Sequence, residues 1–193
     1  MDRRTAFKSA LALLAAGAAP STAQAAAGPH AAYFPNVALT THQGRTVRFY
    51  DDLLRGKTVL LNFFYIHCLD GQCPLQTANL KRVQTLLGER VGREVFMYSI
   101  TLQPEIDRPP LLRQYVEAFG IGPGWQFLTG RPADVERLRR RLGFADPDPK
   151  VDRDKSNHTG VVRYGNEAKS LWGGCPALAE PEAIVRAVSW VAA

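Results

Sequence analysis

The 193-residue chain is 46% hydrophobic and 22% charged with a formal net charge of +6, the proportions of one soluble globular domain rather than a fibrous or disordered chain. Arg3, Arg4 and Lys8, set against Asp2, carry part of that charge at the extreme N-terminus, so the remainder is only mildly basic. The densest basic run, Arg137-Leu-Arg139-Arg140-Arg141, lies on a helical pattern without interleaved aromatics, which reads as a solvated face and argues against nucleic-acid binding.

The chain begins with a basic stretch from Met1 to Lys8, a short apolar run from Leu11 to Ala19, and Ala23-Gln24-Ala25. That order is expected of a secretory signal peptide over residues 1–25, with an apolar part too short to span a bilayer. Arg3-Arg4 followed by Phe7-Lys8 resembles a twin-arginine signal. Phe7 is one position late for the strict pattern, so an ordinary Sec signal stays open. Either route predicts an extracytoplasmic, periplasmic protein whose domain is residues 26–193, and no later segment reaches membrane-spanning length.

Gly28 to Tyr33 reads as a flexible lead-in. Val37 to Leu39 and Thr46 to Phe49, around His42-Gln-Gly44, predict a β-hairpin. Leu53 to Gly56 turns into a central strand from Thr58 to Tyr65, nearly continuous in apolar residues as when helices cover both sheet faces; Asn62 is its one polar interruption. Pro74 fits a first helical position, and Leu80, Val83 and Leu87 keep helical spacing up to Gly88. Glu94 to Thr101 reads as a strand, Pro109 to Phe119 as a helix, Trp125 to Leu128 as a short strand and Pro132 to Leu142 as a helix. Ala145 to His158 is expected to be a polar loop. Thr159 to Tyr164 and Ala168 to Trp172 predict a hairpin turning at Gly165-Asn166, then Gly173-Gly174-Cys175-Pro176 a loop and Pro181 to Val191 a closing helix. Helices between strands call for crossover connections, and a thioredoxin-like three-layer α/β sandwich with an N-terminal β-hairpin is the economical fold.

The chemistry concentrates where the central strand ends, in Ile66-His-Cys68-Leu-Asp-Gly-Gln-Cys73-Pro74. Backbone N–H groups and the dipole at a helix start favour a thiolate there. A disulfide between Cys68 and Cys73 would close so small a loop that it would remove little chain entropy, so stabilisation is a poor reason for the pair. Redox chemistry or soft-metal binding is the better reason, and two thiolates suit Cu(I), Zn(II) or thiol–disulfide exchange alike. Of the four histidines, His30 and His42 read as surface residues. His67, adjacent to Cys68 on extended backbone, would face away from it. His158 stands at the end of the polar loop. With three cysteines one is left over; Cys175 is either a small hydrophobe or a resolving thiol or extra soft ligand for the pair. The acidic loop from Asp146 to Ser156 lacks the glycine and glutamate that a calcium loop counted from Asp152 requires, since Asn157 and Arg163 stand there.

These residues together resemble the Sco (SenC) family of extracytoplasmic, thioredoxin-fold copper proteins. The resemblance runs from about Val37 to Trp172 and is carried by Val59-Leu-Leu-Asn-Phe-Phe leading to Cys68 and Cys73-Pro74, Tyr98-Ser-Ile-Thr101 with Pro104-Glu105, Gly122-Pro-Gly-Trp125-Gln-Phe-Leu-Thr-Gly130, and the late His158. It implies a copper ion bound by Cys68, Cys73 and His158. The implied partner is the copper-bearing subunit of cytochrome c oxidase, or its assembly factors, with delivery to the dinuclear copper centre. Two positions depart from the family pattern: four residues rather than three separate the cysteines, with Gly71 available to absorb the extra one, and Gln103 stands where an aspartate is common. The alternative is a thiol–disulfide oxidoreductase acting on client cysteines through Cys68 and Cys73, with Cys175 as a resolving thiol. A peroxiredoxin is excluded by the absence of a threonine a turn ahead of either cysteine. A purely structural or partner-binding module, indifferent to loss of both cysteines, is the third class.

Overall fold

A computed structural model describes residues 28–68, 71–154 and 160–193. Its elements are β1 (Ala38–Thr41), β2 (Thr46–Arg48), a π-helical turn (Phe49–Leu54), β3 (Thr58–Phe64), α1 (Gln72–Leu87), β4 (Val95–Thr101), α2 (Pro109–Ala118), β5 (Trp125–Gly130), α3 (Pro132–Arg141), α4 (Pro149–Asp152), β6 (Val161–Asn166), β7 (Leu171–Pro176) and α5 (Pro181–Ala192). One seven-stranded mixed sheet runs in the order β2-β1-β5-β4-β3-β6-β7.

All seven residues of β3 are buried, as its unbroken apolar run demands of a strand covered on both faces. It pairs parallel with β4 and antiparallel with β6. Asn62 is accommodated by a polar relay inside the core: its Oδ1 accepts from the Ser99 hydroxyl at 2.7 Å, and Ser99 accepts from the Trp125 indole N–H at 2.9 Å. Each group in the chain is satisfied, which removes the desolvation cost of burying it.

Helices α1 and α5 pack together, α5 lies across β3 and β6, and α2 lies on β5; the Thr77–Tyr115 hydroxyl pair at 2.9 Å joins α1 to α2. These three helices cover one sheet face. On the other, α3 packs on β5, Phe144 meets Phe63 at 4.8 Å between ring centroids, and Phe34 meets Trp172 at 5.0 Å. The result is the expected thioredoxin-like three-layer sandwich with its N-terminal hairpin. Among the described residues no helix is long and apolar enough to cross a membrane.

Several local expectations are corrected. The last hairpin turns at Glu167–Ser170, not at Gly165-Asn166, because the indole of Trp172 lies against Gly165 and keeps it in the strand. Asn166 is held there by its bond to the Thr58 hydroxyl at 3.1 Å. Gly173 to Pro176, expected as a loop, forms most of β7. A Cβ at Gly173 would come within 2.7 Å of the Tyr164 ring and one at Gly174 within 2.8 Å of the Arg163 guanidinium. The glycines therefore belong to a strand crossed by bulky neighbours, and Pro176 is tolerated because β7 is an edge. Residues 149–152 wind into one helical turn capped by the Asp148 carboxylate. The lead-in is built of turns rather than flexible: His30 donates its backbone N–H to Glu167 at 3.3 Å and its ring meets Ser170 Oγ at 2.9 Å. His42 is buried, with its Nδ1 accepting from the Phe127 N–H at 3.2 Å, and burial lowers its pKa. It holds β5 to the first hairpin turn instead of facing solvent.

A dithiol at the start of helix α1

Strand β3 delivers the chain to the site end of the sheet, and α1 carries it away. The helix starts at Gln72, two residues ahead of Pro74, so Pro74 occupies the first turn, where its missing N–H breaks no helical bond. Gly71 precedes it with φ 71° and ψ 1° and donates its N–H to the Cys68 carbonyl at 3.1 Å. This is the left-handed conformation that glycine adopts without a Cβ penalty, as the four-residue spacer required. Leu69 and Asp70 lie outside the described residues.

The turn brings Cys68 to the helix start. The Cys73 backbone N–H donates to Cys68 Sγ at 3.2 Å, one of the first-turn donors that no helical carbonyl can reach. Cys68 thereby supplies an acceptor to the open end of the helix. Cys73 is wholly buried and Cys68 half-buried against the same core, and neither is in a disulfide. The pair thus divides into an accessible sulfur and an enclosed one.

Two groups that sequence reasoning did not single out frame the pair. Asp107 is fully buried; its Oδ2 accepts from the Thr101 hydroxyl and from the Ile66 N–H at 3.2 Å, while Oδ1 has no hydrogen-bond partner among the described residues. Burial raises the pKa of this carboxyl, against the opposing pull of the Thr101 and Ile66 bonds and of His67. Tyr115 stacks among Phe64, Phe119 and Phe127. Burial, chiefly, pushes its hydroxyl up to about 12, and the charges of Cys73, Cys68 and Asp107 add to the rise. Tyr115 reads in the sequence only as one apolar position of a helix face, and Asp107 only as a polar residue ahead of Pro109-Pro110. Gln103, in place of the family's aspartate, donates its backbone N–H to Thr101 Oγ1 at 2.9 Å.

His67 is exposed and already in a turn, so the alternation of an extended chain does not apply to it; its charge reaches Asp107. Cys175 stands in β7 opposite Val162, which in turn stands opposite Asn62 of β3, at the end of the sheet where β3 also ends. It is half-buried, and burial raises its thiol pKa. Asn79 of α1 clamps the chain just beyond it, donating to the carbonyls of Ala177 at 2.9 Å and Ala179 at 2.8 Å. Among the described residues no three His, Cys, Asp or Glu side chains are grouped to hold a metal. His158 lies outside the described residues.

A comparison with curated proteins finds no match. Among solved structures the fold is similar to ScoI of Bradyrhizobium japonicum with copper bound, 23% identical, covering 80% of this chain and 96% of that one with a TM-score of 0.62. It is similar also to a SCO1/SenC family lipoprotein of Bacillus anthracis, 20% identical, covering 83% and 95% with a TM-score of 0.66. A third is BsSco, a member of the Sco family of cytochrome c oxidase assembly proteins in which a disulfide switch was identified; it is 19% identical, covering 81% and 91% with a TM-score of 0.64. The SCO1/SenC family model matches residues 25–193. The chain therefore belongs to the SCO1/SenC family.

Proposed function

We propose that this protein is an extracytoplasmic copper metallochaperone that takes up copper on Cys68 and Cys73 with His158 and delivers it to the dinuclear copper centre of cytochrome c oxidase. The observation that carries this reading is the placement of two sulfurs at the N-terminus of α1, one of them accepting the N–H of the other at 3.2 Å, in a fold shared with a copper-bound relative. Thiolates are the soft donors Cu(I) selects, and one imidazole completes a low coordination number. The half-buried Cys68 sulfur lets an incoming client thiolate reach the metal, so that copper leaves by exchange of ligands. The proposal includes export by a cleaved signal over residues 1–25, a reading supported by the start of the family match at residue 25.

The test is anaerobic Cu(I) titration of the reduced protein against a competing chelator, beside His158→Ala. One tight equivalent, with most affinity lost in the variant, is the expected result. Weak binding, or binding through the cysteines with no effect of His158, overturns it.

The same geometry favours one second reading, thiol–disulfide exchange on client cysteines. The Cys68 thiolate attacks a client disulfide, breaks its S–S bond with release of one client thiolate, and forms a mixed disulfide with the other sulfur. The Cys73 thiolate then displaces the client thiolate and leaves a Cys68–Cys73 disulfide. The split between an accessible and a buried sulfur suits that sequence. Cys175, whose thiol pKa is raised by burial, is the third thiol at this end of the sheet and the alternative resolving group.

A further inference from the structure

On the sheet face away from α1 a groove of about 540 Å³ opens between the lead-in segment, the C-terminal end of α3 and strands β6 and β7, within the size range of small-molecule sites. Its walls include the rings of Tyr33, Phe34 and Trp172, and its rim carries Arg140, Arg141 and Arg163. Among the described residues no carboxylate lines it. Arg140 is neutralised by Glu136 and Asp152. Arg141 and Arg163 have no acidic partner among the described residues.

The walls of the groove are packed against one another. Phe34 packs edge-on to Tyr33 at 4.9 Å and against Trp172 at 5.0 Å. The Arg141 guanidinium lies 4.9 Å from the Tyr33 ring centre, and the Tyr33 hydroxyl donates to the Arg141 carbonyl at 3.2 Å. Arg163 donates to the Gly143 carbonyl at 3.0 Å and lies so close to Gly143 and Gly174 that a Cβ on either would crowd it. Among the described residues, Arg163 Nε and Trp172 Nε1 are buried without a hydrogen-bond partner. A buried donor left unpaired is costly, and both belong to side chains that line the groove.

We infer that this groove is a binding site for a small organic anion, a flat apolar or aromatic body bearing a carboxylate or sulfonate. The rings of Tyr33, Phe34 and Trp172 take the body. The anionic head meets Arg163 and Arg141, for which a planar guanidinium fork is well matched. This site lies apart from Cys68 and Cys73 and does not depend on how the dithiol is used.

The probe is anilinonaphthalenesulfonate, titrated into the full-length folded protein and followed by its fluorescence. One saturable site is expected, weakened about 10-fold or more by Arg163→Met, the loss of one charge-assisted contact, and unchanged by Arg93→Met on an exposed surface elsewhere. On the wild-type protein, naphthalenecarboxylate is expected to displace the probe and the neutral naphthamide to fail, which tests the charge requirement without any variant. Absence of binding, an Arg163→Met affinity equal to wild type, or equal displacement by acid and amide overturns the assignment.

Discussion

The Cys73 backbone N–H points at the sulfur of Cys68 from 3.2 Å. One cysteine therefore conditions the other through the main chain, whatever their side chains later bind. Cys68 is the more accessible sulfur, and Cys73 sits in the core. Mass-mapped alkylation of the reduced protein with iodoacetamide should modify Cys68 first, with Cys175 and Cys73 lagging until denaturant is added. Labelling of Cys175 ahead of Cys68 would contradict this order.

Gly71 sits at φ 71° with nothing among the described residues within 4 Å of a would-be Cβ. Gly71→Ala therefore meets only backbone strain, about 1 kcal/mol of lost stability in urea unfolding. Because the strain falls on the spacer, Cu(I) affinity should drop with it. A stability loss without any change in copper affinity would separate the turn from the site.

Glu167 is a buried anchor, accepting from the Tyr50 hydroxyl at 2.6 Å, the Gly56 N–H at 2.9 Å and the His30 N–H at 3.3 Å. Burial raises its pKa, but these bonds prevail and hold it below the ordinary 4.5. The ionised form is thus favoured in the folded state, and its contribution is present above that value and lost as pH falls through the lowered one. Glu167→Gln should cost about 2 kcal/mol at neutral pH, and the gap from wild type should close as unfolding is measured toward acid. A gap that does not change with pH would refute the assignment.

Asp107 has the opposite sign. Its pKa is raised above 3.8, first by burial, so its contribution is full below 3.8 and is lost as pH rises through the raised value. Asp107→Asn keeps an acceptor for the Ile66 N–H. Relative to wild type, the variant should gain stability on going from acid to neutral pH, read from urea midpoints across that range. A relative loss over the same interval would show that the carboxylate is stabilised as an ion.

The two corrections at the end of the chain show where sequence reasoning stops. The cysteine turn was legible because its causes are local: a buried apolar strand, a glycine at the turn and a proline in the first helical turn. Strand β7 was not, because two glycines and a proline in a row look like a loop until the side chains of Tyr164 and Arg163 are seen to occupy the space above them. His42 was misread for the same reason, since its partner Phe127 is 85 residues away, and the Glu167 anchor leaves no local mark, since its partner Tyr50 is 117 residues away. At the site, the thiols announced themselves by type and spacing. Asp107 and Tyr115 did not, for only the crossover of α1 and α2 onto one face brings them to the thiol pair.

The Asn79 clamp on Ala177 and Ala179 fixes the second turn of α1 to the sheet margin. A change at the dithiol, whether a metal gained or a disulfide closed, then meets a helix that cannot slide. Adjustment should therefore fall on Cys68 rather than on Cys73, which the tethered helix carries.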